Sequence, residues 1–205
     1  MLPGAKAKLL IVDDDVLLRM SLTQLFTEFG YSVRSAADGF SALSEIRNEI
    51  PDIILSDLNM AGMSGFELLS VVRRRFPAIR VIAMSGTFSG DGGTPHGVVA
   101  DAFYEKGIKP SLLLKIMQDM TYLEQRFFQR PRSLAPIWIA KNGHDLSGEE
   151  YVMITCPECL RVFPHVFGKD PSLIKETDCV HCSNSIHYAI VQPSDPIVVQ
   201  ASQRT

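Results

Sequence analysis

The chain has 205 residues, of which 46% are hydrophobic and 21% charged, and its formal net charge is −3. That composition suits a folded protein with one medium domain and a smaller one, and excludes a chain disordered throughout. Residues 1–125 carry 12 Lys and Arg against 15 Asp and Glu, and the remainder 8 against 8, so neither part is a nucleic-acid binder by charge alone; no apolar run nears the roughly 18 residues of a membrane span, and a soluble cytoplasmic protein is expected.

In chain order, "KLLIV" (8–12) reads as a buried strand. Val16 to Phe29 places Leu18, Leu22, Leu25 and Phe29 at helical spacing, and Gly30 ends that helix. "YSVRSA" is a second strand, and "DGFSALSEIRNEI" puts Ala42, Ile46 and Ile50 on one helical face before Pro51 stops it. "DIILS" (52–56) is a short apolar run of the kind buried on both faces in a parallel sheet, and it leaves Asp57 at its carboxyl end. Ser64 and Glu67 form an S-x-x-E capping box, opening a helix that runs to Arg73, Arg74 and Arg75, whose charge suits a helix C-terminus.

"RVIAMSG" is a fourth strand and "DAFYEK" a short fifth; Leu112, Leu113, Ile116, Met117, Met120 and Leu123 make the apolar stripe of a final helix. Between strands four and five, "GTFSGDGGTPHG" holds five glycines and a proline, which predicts a loop with at most a short helix. Five alternations of strand and helix over residues 1–125 predict an α/β fold with a doubly wound, five-stranded parallel sheet.

In such sheets ligands bind where the strands run out. Asp13 and Asp14 end strand one, Asp57 strand three, Ser85 strand four and Lys106 strand five. Three carboxylates gathered at one edge repel one another unless a hard cation such as Mg²⁺ shares them. A lysine and a hydroxyl beside them suit the remaining oxygens of a phosphoryl group.

The acidic pair after "LLIV", the "DLNMAGMSG" loop, "VIAMSG" and Lys106 give residues 6–125 an order and spacing that resembles bacterial response-regulator receiver domains, of flavodoxin-like (CheY-like) fold. The resemblance implies that Asp57 takes a phosphoryl group from a phosphohistidine of a sensor histidine kinase or phosphotransfer protein, forming an acyl phosphate. It implies Mg²⁺ on Asp13, Asp14, Asp57 and the main-chain carbonyl of Asn59, with Ser85 and Lys106 contacting the phosphoryl group and Phe103 as the switch aromatic. Asp15 is read instead as a helix cap. The chain departs from the family at Ala61, where proline is frequent, and at Gly107, where a cis Lys-Pro peptide is common; the glycine-rich loop replaces much of the fourth helix.

Behind this domain, "CPEC" and "CVHC" leave nineteen residues between Cys159 and Cys179. The spacing of Cys156, Cys159, Cys179 and Cys182 fits a four-thiolate Zn²⁺ site, with buried or redox-active cysteines as the alternative. His165, His181 and His187 are expected to be exposed or hydrogen-bonded, not ligands. "YVMIT" and "IHYAIVQ" are flanking strands of a small β zinc ribbon over residues 149–192, whose metal supplies much of its folding free energy. Residues 126–148 are expected to be a linker and 193–205 a tail. Phe127 and Phe128 continue the preceding helix, and Trp138 is read as core filler.

The function expected is phosphorelay signalling, passed to an unknown protein output partner through the ribbon, with no separate enzymatic domain and no membrane. Two alternatives stand beside it: a receiver-like docking module without phosphoryl transfer, and a DNA-binding transcriptional regulator. The second is weakened by the balanced charge of the ribbon, because phosphate neutralisation needs clustered Lys and Arg.

Overall fold

The computed structural model describes residues 7–86, 98–122, 135–140, 143–144, 150–166 and 172–191. The glycine-rich stretch 87–97, Leu123, Phe127, Phe128 and the tail 193–205 lie outside the described residues. Five strands, β1 (Lys8–Val12), β2 (Ser32–Ala36), β3 (Ile53–Asp57), β4 (Arg80–Ser85) and β5 (Ala102–Glu105), form one sheet of order β2-β1-β3-β4-β5. Every pairing is parallel, in keeping with the apolar runs of the three inner strands β1, β3 and β4.

Alternate residues of each strand face opposite layers. Leu9, Ile11, Ile53, Leu55, Ile82 and Met84 pack with Leu22 and Phe26 of α1 (Val16–Glu28) and Leu113 and Met117 of α4 (Pro110–Tyr122). Leu10, Val12, Ile54, Val81 and Ala83 face α2 (Gly39–Asn48) and α3 (Gly65–Arg75).

Two helical faces differ from expectation. In α1 Phe26 is fully buried, edge-on to Tyr31 with ring centroids 5.6 Å apart, whereas Phe29 is the C-cap and 38% exposed. Gly30, at φ 83°, turns the chain there: its N–H donates to Thr27 O at 2.9 Å and that of Tyr31 to Phe26 O at 3.0 Å, a Schellman closure that swings Phe29 off the core side. In α2 the helix stops at Asn48, so Ile50 falls past its end and is 58% exposed.

The expected linker 126–148 contains two strands, β6 (Ile137–Ala140) and β7 (Gly143–His144). β7 joins the antiparallel pair β8 (Glu150–Thr155) and β9 (Val162–Val166). β6 pairs in parallel with β11 (Ser185–Val191), which is antiparallel to β10 (Lys175–Asp178). Ile137 and Ile139 are buried, and Ile137–Ala140 is a strand because β11 lies alongside, Ile137 opposite Tyr188. Trp138 is partly buried against the core.

The two small sheets do not hang from the first domain. β6 lies along α3, and one contiguous apolar cluster runs from Leu10 and Ile54 through Leu68 and Val71 of α3 to Ile139, Ile154 and Tyr188. All residues of α3 from Gly65 to Arg73 are therefore buried. Arg73, read as a cation at a helix end, is only 5% exposed; its Nη2 lies 2.8 Å from Asp101 Oδ2, an oxygen that also accepts from Val81 N–H at 2.8 Å. The capping box at the head of α3 is half formed. Ser64 Oγ accepts from Glu67 N–H at 3.4 Å, but the Glu67 carboxylate turns away and accepts from Thr155 N–H at 3.0 Å. Ser70 Oγ likewise accepts from Trp138 N–H at 3.3 Å.

Candidate functional site

The carboxyl ends of β1, β3, β4 and β5 bring the expected residues together. Carboxylate oxygens of Asp13, Asp14 and Asp57 lie within 4.8 Å of one another. Asp13 and Asp57 are buried and Asp14 is exposed, so the group is open to solution on one side. Lys106 Nζ bridges Asp13 Oδ2 at 2.9 Å and Asp57 Oδ2 at 2.8 Å. Burial lowers the affinity of Lys106 for its proton, yet the two carboxylates outweigh it and its pKa ends above the ordinary value. Burial raises the pKa of Asp57, against the pull of Lys106 and of the Asn59 N–H, which donates to Asp57 Oδ1 at 3.3 Å.

The surrounding backbone fixes these groups. Lys106 N–H donates to Ser85 O at 2.8 Å, tying the ends of β4 and β5 together. Ser85 is fully buried, and its Oγ accepts from the Asn59 side-chain amide at 3.1 Å. Asp15 is the N-cap of α1, accepting from Leu17 N–H at 2.8 Å and Leu18 N–H at 3.1 Å, as its sequence position suggested. Lys106 is followed by Gly107 at φ 92°, and no cis peptide occurs among the described residues. Phe103 is partly buried against the cluster that contains α3.

Two participants, Arg19 and Gly65, and one side-chain role, that of Asn59, were not read from the sequence. Arg19 donates to the main-chain oxygen of Asp13, one turn into α1. Asn59 was expected to act through its carbonyl, yet its side chain also holds Ser85. Gly65 allows the head of α3 to press on the site: a Cβ there would stand 1.9 Å from Asp57 O. The signal was present in "MSGFE", where a glycine follows an N-cap serine, but its partner is a backbone atom known only once β3 and α3 are placed.

The acidic group has the donor set of a Mg²⁺ site, hard oxygens with open positions for water or a phosphoryl oxygen. Lys106 partly neutralises it, and the arrangement leaves the Asp57 carboxylate beside a cation at the mouth of the sheet.

The four cysteines form a second cluster, also within 4.8 Å. The tips of two hairpins supply them. In the first, Cys156 N–H donates to Arg161 O at 2.9 Å and Leu160 N–H to Cys156 O at 2.8 Å; in the second, Cys179 N–H donates to Asn184 O and Ser183 N–H to Cys179 O, each at 2.9 Å. Leu160 and Ser183 take the same left-handed conformation, φ 57° and 56°. Such a backbone is unfavourable for leucine and persists only where its surroundings impose it.

The Sγ atoms of Cys156 and Cys182 are 3.7 Å apart, as are those of Cys159 and Cys179. Four sulfurs at Zn–S of about 2.3 Å in a tetrahedron stand about 3.8 Å apart, so the thiols fit zinc. His181 N–H donates to Cys179 Sγ at 3.4 Å and Asn184 Nδ2 to Cys182 Sγ at 3.3 Å, the kind of outer hydrogen bonding that steadies thiolate ligands. The rings of His165, His181 and His187 lie elsewhere: His165 is edge-on to Tyr188 with centroids 5.5 Å apart, His181 Nε2 lies 3.4 Å from Val162 O, and His187 Nε2 is 3.8 Å from Glu176 Oε1.

Residues 9–118, more than half of the chain, match the family model for the response regulator receiver domain. Sporulation initiation phosphotransferase F of Bacillus subtilis is 40% identical over 78 residues, which are 38% of this chain and 63% of that protein. The transcriptional activator protein ExaE of Pseudomonas putida is 29% identical over 130 residues, 57% of this chain and 58% of that one. The match thus spans about six-tenths of these two relatives. Among solved structures, the chemotaxis response regulator CheY4 of Vibrio cholerae is 31% identical with a TM-score of 0.50, covering 56% of this chain and 98% of that one.

Proposed function

The chain belongs to the response regulator receiver family, a family of phosphorelay signalling by aspartate phosphorylation, and from that premise we propose that Asp57 is its phosphoryl acceptor. The observation that carries the reading is Lys106 Nζ at 2.8 Å from Asp57 and 2.9 Å from Asp13, with Asp14 completing the acidic group. A carboxylate oxygen of Asp57 attacks the phosphorus of a phosphohistidine. A P–O bond forms, the P–N bond breaks, and the imidazole leaves with its electron pair. Asp13, Asp14, Asp57 and the Asn59 carbonyl are the residues that would hold Mg²⁺, which screens the charge of the incoming phosphoryl oxygens.

Lys106 stays beside Asp57 as counter-charge to the acyl phosphate. The Ser85 hydroxyl exchanges its contact with the Asn59 amide for a phosphoryl oxygen, and Phe103, on the neighbouring strand, follows Ser85 as the switch aromatic. The donor is a sensor histidine kinase or phosphotransfer protein, met in the cytoplasm. Cys156, Cys159, Cys179 and Cys182 hold Zn²⁺ and make residues 149–192 a zinc-ribbon module that addresses a protein output partner.

The test is incubation of the full chain with acetyl phosphate and Mg²⁺. One hydroxylamine-sensitive phosphate per chain is expected, lost in Asp57→Ala and on removal of Mg²⁺ with a chelator. Label that persists in Asp57→Ala, or none in the wild type with any donor, refutes the assignment. One zinc per chain by elemental analysis, lost in Cys156→Ser, checks the metal.

A further inference from the structure

The two clusters are joined by a path through the head of α3 and one buried hydrogen bond. Asp57 closes β3. The loop from Leu58 to Ser64 carries Asn59 and returns to the sheet, where Gly65 N–H donates to Leu58 O at 3.0 Å. The head of α3 has no slack against Asp57, since even a Cβ on Gly65 would stand 1.9 Å from its carbonyl oxygen. Two residues later the Glu67 carboxylate, 4% exposed, holds Thr155 N–H at 3.0 Å. The residue after Thr155 is Cys156, whose own N–H and carbonyl set the first cysteine turn. Ser70 repeats the link one turn on, to Trp138 of β6, and the apolar cluster is continuous throughout.

We propose that occupancy of the Asp57 pocket and of the cysteine cluster tighten one another through α3, with Glu67 as the positioning residue that joins them. The inference rests on the phosphoryl and zinc readings given above. A ligand in the acidic pocket that engages Asn59 fixes one end of the path. A metal on Cys156 fixes the other. A segment already ordered from one end loses less freedom when the second ligand binds, which makes the coupling positive. Linkage makes it reciprocal, and typical couplings are about 5-fold to 150-fold.

The experiment titrates zinc into the metal-stripped full chain against a chelating dye, with Mg²⁺ alone and with Mg²⁺ plus beryllofluoride as phosphoryl mimic. Bound beryllofluoride is followed by ¹⁹F NMR. In the wild type the zinc Kd falls by about fivefold or more when beryllofluoride is bound, and zinc lowers the beryllofluoride Kd by the same factor. Glu67→Gln keeps an acceptor for Thr155 N–H and keeps the factor. Glu67→Ala binds both ligands with the factor clearly reduced, the Ser70 link and the apolar contacts remaining.

Equal zinc affinity in the two wild-type states overturns the inference alone, as does an alanine variant that retains the full factor; if that variant does not fold, the wild-type comparison decides. Absence of zinc uptake overturns the metal reading, and absence of bound beryllofluoride the phosphoryl reading. In either case the coupling falls with it, and the two spectroscopic signals report which.

Discussion

Replacing Glu67 with glutamine separates the shape of this side chain from its charge. Glu67 is 4% exposed and burial lifts its pKa to about 7, against the hydrogen bonding of Thr155. A carboxyl whose pKa is raised on folding is held in the neutral form by the native state. Its stabilising contribution is complete below the ordinary value of 4.5 and is lost as pH rises through about 7. A gap of about 2.5 pH units at 1.36 kcal/mol each amounts to about 3 kcal/mol. The dipole at the head of α3 favours the carboxylate, so this is a ceiling.

Glutamine keeps the acceptor for Thr155 N–H and never ionises. Urea unfolding of the full chain at pH 5 and pH 8 is the assay, read as the difference between variant and wild type so that every other titrating group cancels. The two chains should unfold at nearly the same urea concentration at pH 5, and Glu67→Gln should be the more stable at pH 8 by up to about 3 kcal/mol. A difference that does not change with pH, or a glutamine chain that is the weaker at pH 8, refutes the reasoning.

Gly65→Ala forces its methyl onto Asp57 O and should cost about 1–3 kcal/mol or more in thermal or urea unfolding, while slowing labelling by acetyl phosphate because the acceptor's own backbone must shift. Arg73→Ala removes the cation beside the buried Asp101 carboxylate, leaving it the Val81 N–H, and should destabilise by about 3–5 kcal/mol, measured by urea unfolding; Arg73→Ala with Asp101→Ala should recover part of it. On the zinc reading proposed above, stripping the metal with a chelator, or Cys156→Ser, should lower the melting temperature of the whole chain in one calorimetric transition, because one apolar cluster spans both parts.

Where neighbours in sequence are also neighbours in space, the sequence was legible. The five strands, the alternation and the five residues at the sheet edge follow from short apolar runs that end in polar side chains, and parallel strand order brings those ends together. The same is true of the cysteines, because each pair sits at one hairpin tip. What escaped depends on distant partners. Glu67 three residues after Ser64 has the pattern of a local cap, and its real partner is 88 positions away. "PIWIAK" is too short to announce a strand and too close to prolines to suggest one, yet β11 makes it so. Three consecutive arginines look like a solvated helix end until Asp101 claims the first. Phe29 and Ile50 lie on the correct helical faces by spacing, and the chain leaves each helix just before it can use them.

From Gly65 to Arg73, a helix lodged between two sheets has no wet side. Cutting the chain after residue 125, where the receiver resemblance would place the knife, peels away the strands that roof α3 and bares the surface meeting Ile139, Ile154 and Tyr188. Such a fragment would be sticky and fragile, and a laboratory that purified it as a stand-in would be studying damage. The seam visible in the letters is not a seam in the molecule.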